Sequence, residues 1–144
     1  MTEQIKIEPT NFQECVEEGK ARKVPIDSIR AKSLIKASRQ AITTAKTIPL
    51  TETSLKTIFR ELYEGLREYC EALGFLRGYK FLDHISVTYF LRDVLKQESI
   101  AIKFDRYGKL RNGINYYGED INIATVKEAL QDIPRLINYL KNKK

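Results

Sequence analysis

The chain has 144 residues, 42% hydrophobic and 31% charged, which suits one domain spanning residues 1–144 and excludes collagen-like and disordered classes. Lys and Arg total 25 against 19 Asp and Glu, so the formal net charge is +6. This excess attracts polyanions by counterion release, but many basic proteins bind no nucleic acid, so charge alone leaves an RNA or nucleotide partner open.

Helical spacing of apolar residues begins early in the chain. A short first helix is predicted at about residues 11–21, before the break made by Val24 and Pro25. A second helix is predicted from an N-cap at Asp27 to Ile48, where Pro49 disfavours helical geometry in the residue before it. Its apolar positions and its row of basic side chains lie on different faces, as in a long amphipathic helix.

The third predicted helix has the cleanest apolar stripe of the chain. Thr51 is its predicted cap, and Gly74 or Gly78 marks its end. The stripe consists of Leu55, Ile58, Phe59, Leu62, Leu66, Tyr69, Cys70 and Leu73. A fourth helix is predicted at about residues 81–96 and a fifth at about residues 99–117. The fifth presents Ile100, Phe104, Tyr107, Leu110, Ile114 and Tyr117 inward.

The last predicted helix follows Gly118 and has Asn122 as its capping residue. Pro134 lies inside this helix and predicts a kink or a restart near Ile133. Alternation of period two leaves room for no more than a short strand at residues 4–7. Since short connections join long helices, the sequence predicts an all-α protein, an antiparallel up-and-down bundle of about five to six helices.

Metal and cofactor sites have no support in the sequence. Cys15 and Cys70 are too few for a disulfide framework, and adding His84 does not reach the roughly four ligands of structural zinc. We therefore expect reduced, buried thiols, no metal and no cofactor, since phosphate-loop and dinucleotide motifs are also missing. The N-terminus has no secretory pattern and no run of about 18 apolar residues occurs, so we expect a cytoplasmic protein without a membrane partner.

His84 is the only histidine, so any histidine-based acid–base chemistry must use it. It lies near the start of the predicted fourth helix. A lone histidine in that position is either a packing or capping residue or a catalytic one. The structural interpretation is favoured, because a lone histidine at a helix start is more often a packing or capping residue than a catalyst.

Residues 106–118 are unusual for a helix, because three glycines and two asparagines interrupt them. Glycine in a helix interior costs up to about 1 kcal/mol relative to alanine. One explanation is a helix that frays early and ends in a cap at Gly118. The other is a site where the backbone must approach a partner closely.

Four polar side chains of this segment are candidate ligand contacts. Arg111 and Asn115 are four residues apart and share a helix face, as do Asn112 and Tyr116. The arginine offers a planar fork of donors that matches phosphate, and the amides and phenol can donate to further oxygens. The same cluster also fits an interhelical hydrogen-bond network without a ligand.

Several short patterns in this order resemble the HEPN domains, a superfamily of nucleotide-binding helical-bundle proteins. The clearest is RNGINYYG, after a run of about four helices. In the family, a long helix leads through GYK to a helix that opens with histidine, and a similar stretch lies upstream here, YEGLREYCEALGFLRGYKFLDHISVTYFLRDVL. The family helix before it resembles the segment DSIRAKSLIKASRQAI. The resemblance covers about residues 26–118.

The resemblance implies an up-and-down bundle that dimerises. Many family members are metal-independent ribonucleases, and others are toxins paired with a minimal nucleotidyltransferase. Their motif places an Arg, a polar residue and a His at a cleft between subunits, which assigns Arg111 and Asn112 here. Tyr116 stands where the family has the histidine, and the tyrosine that family toxins have modified aligns nearer Gly118.

The missing motif histidine favours binding over turnover. An unperturbed phenol has a pKa of about 10 against about 6.5 for imidazole, so a tyrosine is a poor general base near neutrality. We therefore expect a dimeric HEPN-like protein that binds RNA or nucleotide phosphate through Arg111, Asn112, Asn115 and Tyr116, with weak or no catalysis, in a toxin–antitoxin or nucleotidyltransferase-linked module. The alternatives are an active metal-independent ribonuclease, with Arg111 and Tyr116 as catalytic candidates, and a ligand-free structural helical bundle.

Overall fold

Helices make up most of this protein, as the computed structural model shows for residues 8–142, the part of the chain that it describes. The α-helices in this range are α1 (Phe12–Glu17), α2 (Ser28–Thr47), α3 (Leu55–Leu76), α4 (His84–Tyr89), α5 (Glu98–Tyr117) and α6 (Ile123–Lys141). A π-helical segment, Phe90–Val94, continues α4. The predicted helical class is therefore confirmed for the described residues, and the arrangement is consistent with an all-α bundle.

Two short strands were not predicted. β1 (Ala21–Lys23) and β2 (Tyr79–Phe81) pair antiparallel, with Ala21 opposite Phe81 and Lys23 opposite Tyr79. The predicted first helix ended too late and the predicted fourth began too early, because residues 21 and 81 belong to this ladder. Strands of three residues are too short to show a period, and their hydrogen bonds join distant parts of the chain. The strand predicted at residues 4–7 lies outside the described residues.

Helix α3 lies at the centre of the fold and contacts α2, α5 and α6. All eight residues of its predicted stripe are buried. Its N-cap is Ser54 and not Thr51, whose backbone N–H instead donates to the Ser54 hydroxyl at 2.9 Å. The helix passes through Gly74 to Leu76, because the missing side chain at Gly74 leaves room for the ring of Phe81.

Helices α2 and α6 begin at their predicted caps. The Asp27 carboxylate accepts from the backbone N–H of Arg30 at 2.9 Å, and the Asn122 amide oxygen accepts from that of Thr125 at 2.8 Å. Helix α6 is continuous through Pro134 to Lys141, so it does not restart near residue 133, and the kink that was the other expectation stays a prediction. Tertiary packing outweighs the cost of the internal proline, since buried apolar side chains lie on both sides of it: Val126, Ile133, Ile137 and Leu140.

Helix α4 starts after Asp83, whose carboxylate accepts from the backbone N–H of Ser86 at 2.9 Å. The predicted fourth helix therefore splits into a β2 residue, a short α-helix and the π-helical segment. An aromatic cluster of Phe12, Tyr79, Phe81 and Phe90 joins these pieces to α1. This cluster fixes the entry into α4 and hence the position of the residue that opens it.

The two thiols are free and buried, as predicted. Within residues 8–142, no helix combines the length and the apolar character that crossing a membrane would need.

Candidate functional site

His84 opens α4 and lies inside a network of side chains from three helices. Its imidazole stacks on Phe104 of α5, with ring centroids 4.6 Å apart and planes 14° from parallel. Its Nδ1 atom lies 2.9 Å from the Tyr63 hydroxyl of α3, and its Nε2 atom lies 3.3 Å from Oδ1 of Asp105 of α5. A carboxylate only accepts, so Nε2 donates to Asp105 and Nδ1 accepts from Tyr63.

Burial controls the protonation of this network. It lowers the pKa of His84 below 6.5, and the neighbouring Asp105 carboxylate opposes this effect without reversing it. Burial also raises the pKa of Tyr63 well above its usual value of 10. At neutral pH the imidazole is therefore uncharged and the Tyr63 phenol keeps its proton.

Gly108 explains how the imidazole fits against α5. A Cβ atom built at this buried position would overlap the His84 ring. At Gly113, a Cβ atom would meet the carboxylate of Glu119 just beyond the helix. The interior glycines of α5 therefore permit close approach by side chains of this same chain, whereas close approach of a partner stays a prediction.

Helix α5 does not fray at these glycines. It is continuous to Tyr117, and Gly118 ends it in the left-handed conformation with φ of +64°. The predicted cap at Gly118 is therefore confirmed, and the early-fraying interpretation is wrong. Packing against His84 compensates the poor helix propensity of the segment.

Arg111 lies three residues beyond Gly108 and faces a pocket beside His84. The pocket has a volume of about 260 Å³, and its polar lining consists of Tyr63, Arg67, Glu71, Asp83, His84 and Arg111. The Arg111 guanidinium lies 5.7 Å from the centre of the Tyr63 ring and 6.0 Å from that of Tyr116. This site is called the His84–Arg111 pocket below.

The other charged groups of the pocket already have partners. Arg67 forms ion pairs with Glu64 and, at 2.7 Å, with Glu71. The Asp83 carboxylate caps α4. Within residues 8–142, Arg111 forms no ion pair with a carboxylate, and its Nη1 atom donates to the Asn112 side-chain oxygen at 3.3 Å. Its charge is therefore available to an anion, since no direct counterion neutralises it.

The structure separates the four predicted contact residues. Of the four, only Arg111 lines the pocket; Asn112 and Tyr116 contact Arg111, whereas the Asn115 amide oxygen accepts from Nε of Arg60 at 2.7 Å. Tyr116 is 70% exposed. Tyr117 is 77% exposed, so its predicted place in the inward stripe of the fifth helix is wrong. Ile114 of the same turn is buried, so burial of the stripe ends there, which the helical spacing does not reveal.

Tyr63, Asp105 and Phe104 were not predicted as site residues. The available signal was Gly108, whose missing side chain marked a close approach without naming the approaching group. His84 is packed and hydrogen-bonded, as its structural interpretation requires, and it also lines the pocket. Within the described range, no three His, Cys, Asp or Glu side chains come together in a way that could hold a metal ion.

Comparisons of the chain with protein-family models, with curated proteins and with solved structures give no match.

Proposed function

We propose that this chain is a HEPN-like protein that binds a phosphate group of RNA or of a nucleotide in the His84–Arg111 pocket, with weak or no catalysis. One observation supports the proposal above the others: Arg111 lines a pocket without a carboxylate partner among the described residues. A guanidinium offers parallel donors that match two phosphate oxygens, and phosphate binding needs no proton transfer. The net charge of +6 adds long-range attraction for a polyanion.

The size of the pocket favours a phosphate and its sugar as the part of the ligand that the pocket encloses. Its volume of about 260 Å³ is below the range of about 300–1,000 Å³ that encloses a drug-sized molecule. Tyr116 is exposed beside Arg111, where a phenol can stack on a base or donate to a further phosphate oxygen. The proposed ligand is therefore held by its backbone, with the base outside.

A ribonuclease is the second candidate, because His84 lines the same pocket as Arg111. An imidazole from α4 would then take the place of the histidine missing from the α5 motif. Metal-independent cleavage needs proton transfer from the 2′-hydroxyl and to the leaving oxygen. Both ring nitrogens of His84 are engaged, one by Tyr63 and one by Asp105. Binding without turnover is therefore the better-supported proposal.

We also propose that the helices follow an antiparallel up-and-down order. The connections between α2 and α3, residues 48–54, and between α5 and α6, residues 118–122, are short, and α2 packs extensively along α3. Short connections between long packed helices favour an antiparallel up-and-down order.

We likewise propose a cytoplasmic protein of a toxin–antitoxin or nucleotidyltransferase-linked module. A minimal nucleotidyltransferase encoded in the neighbouring reading frame would support this partner.

Replacing Arg111 by alanine is expected to weaken binding of a single-stranded RNA oligonucleotide or of a nucleotide. The loss of a charge-assisted contact should cost about 1 to 3 kcal/mol, roughly a 5- to 150-fold rise in Kd. Fluorescence anisotropy with labelled RNA and competition by nucleotide would measure the change. Arg106→Ala is the matched control, since Arg106 is on the same helix but is paired with Glu128.

Cleavage of the same RNA tests the enzyme alternative. Wild-type protein should leave the RNA intact in metal-free buffer. Robust cleavage abolished by His84→Gln or by Tyr116→Phe would establish the ribonuclease instead. Equal binding by wild type and Arg111→Ala, with helicity retained, would remove the phosphate site and leave the structural bundle.

We also propose a homodimer that includes the end of α5. Tyr116 and Tyr117 are 70% and 77% exposed, and Ile123 at the start of α6 is 44% exposed, so both ends of the α5–α6 connection expose large apolar side chains as a candidate patch. A two-fold axis beside this patch would bring both copies of the motif together. Sedimentation at micromolar concentration should show a dimer that Tyr117→Glu converts to a monomer.

Ile29→Glu is the control for that experiment. Ile29 is 80% exposed but lies on α2, so its substitution should leave the dimer intact. A wild-type monomer at every concentration would exclude the shared cleft.

A further inference from the structure

A second pocket lies among α2, α3 and α6 and shares no lining residue with the His84–Arg111 pocket. Its volume is about 450 Å³, within the range of small-molecule sites. Its apolar wall comprises Ile35, Ile42, Pro134 and Ile137. It is called the α2–α6 pocket below.

Tyr69 of α3 lines this pocket, and its buried hydroxyl has no hydrogen-bond partner among the described residues. The residue is 1% exposed, and its hydroxyl is the buried side-chain polar atom that finds no hydrogen-bond partner among residues 8–142. Burial raises the pKa of Tyr69, so the phenol keeps its proton and is a donor. Buried polar groups are nearly always hydrogen-bonded, so this unpaired hydroxyl next to a pocket indicates a missing acceptor. The other buried hydroxyl of the lining, on Ser38, donates to the Gly65 carbonyl at 2.6 Å.

The rim of the α2–α6 pocket is basic. Arg39, Lys46, Arg135 and Lys141 line it, and no Asp or Glu does. None of these four cations forms an ion pair with a described carboxylate, whereas Lys103, Arg106 and Lys109 on α5 all do. The negative end of the α6 dipole by itself favours a cation at Lys141. Arg39 and Arg135 are therefore the stronger indication of an anion site. Four such cations around one opening favour an anion.

We propose that the α2–α6 pocket binds a small amphipathic organic anion. Its apolar or aromatic body lies against Ile35, Ile42 and Ile137. Its phosphate or carboxylate is held by Arg39 and Arg135 at the rim, and one of its oxygen or nitrogen atoms accepts from the Tyr69 hydroxyl. The site is independent of the proposed phosphate site, because it is built from other helices and other arginines.

Calorimetric titration of the Arg111→Ala protein separates the two sites. The probes are adenosine monophosphate, decanoate and inorganic phosphate, which distinguish a nucleotide ligand from an apolar carboxylate and from a bare anion. At least one organic probe should bind with one-to-one stoichiometry. Inorganic phosphate should bind at least about 10-fold more weakly, since it cannot use the apolar wall. Absence of binding by both organic probes, or equal affinity for inorganic phosphate, would overturn the proposal.

Substitutions then test the assigned contacts. Tyr69→Phe and Arg135→Gln should each raise the Kd of the bound organic probe by about 5-fold or more. Lys127→Gln is the control, because Lys127 is an exposed cation on α6 outside the pocket lining, and it should change the Kd less than about 2-fold. Unchanged affinity in both pocket variants would show binding elsewhere.

Stability gives a readout that does not depend on the identity of the ligand. Because the Tyr69 hydroxyl has no partner among the described residues of the ligand-free protein, Tyr69→Phe should leave the midpoint of urea unfolding unchanged or raise it. A clearly lowered midpoint would mean that this hydroxyl has a structural partner, which contradicts the assigned role.

Discussion

Replacing Gly108 by alanine should lower the free energy of unfolding by about 2 to 4 kcal/mol. The new Cβ atom would overlap the His84 imidazole. That ring cannot turn aside cheaply, because Phe104 stacks on it and Tyr63 and Asp105 hold its two nitrogens. Glycine to alanine in an unhindered helix would instead stabilise by up to about 1 kcal/mol. The sign of the effect therefore reports the close approach.

Gly113→Ala is the matched control on the same helix. Its Cβ atom would meet the side chain of Glu119, which is exposed and free to swing into solvent. We expect a change within about 1 kcal/mol for this variant. Urea unfolding followed by circular dichroism measures both variants. Gly108→Ala as stable as wild type would mean that His84 does not occupy the observed position.

A double-mutant cycle sharpens this result. Removing the imidazole in His84→Ala should relieve the overlap that Gly108→Ala creates. The loss in the double variant should therefore fall short of the sum of the single losses by about 1 to 3 kcal/mol. Additive losses would assign the Gly108 effect to another neighbour.

Replacing Phe90 by alanine should lower the free energy of unfolding by about 3 to 5 kcal/mol. Phe90 is fully buried at the first position of the π-helical segment. Its ring lies 5.0 Å from that of Phe81 and 5.6 Å from that of Phe12, as centroid distances. Truncation would leave a cavity between α1, β2 and this segment, and it would also remove the edge-to-face contact with Phe12.

The same unfolding measurement has an internal reference in Ile29→Ala. Ile29 is 80% exposed, so its truncation should change stability by less than about 0.5 kcal/mol. A cost below about 1 kcal/mol for Phe90→Ala would show that the aromatic cluster does not hold the pieces around α4 together.

Much of the helical architecture follows from local patterns. The Asp27 and Asn122 side chains accept the backbone bonds expected of N-caps, and Gly118 takes the left-handed conformation that ends α5. The stripe of α3 is buried throughout its length. Each of these features depends on residues within one or two turns, so each can be predicted from the local sequence alone.

Long-range contacts changed three local predictions. Residue 21 pairs with residue 81, which turned two predicted helix ends into strands. Helix α6 continues through Pro134 because apolar side chains on either side of the proline are buried. Tyr117 continues the helical spacing yet is exposed, since burial of the α5 stripe ends at Ile114. In each case, the deciding atoms are far away in sequence.

Some residues of the candidate site can likewise be predicted from local sequence, and others only from the tertiary structure. The sequence by itself singled out the glycine-rich helix, since glycines and asparagines in a helix are a local anomaly, and Arg111 on it, since its donors match phosphate. Only the tertiary structure placed His84 and Tyr63 in one pocket with Arg111, and Asp105 at the other nitrogen of the imidazole. Local periodicity records which face of a helix is buried, but not which residues of other helices meet that face. That choice is set by the rotation and the relative positions of packed helices, which many side chains determine together.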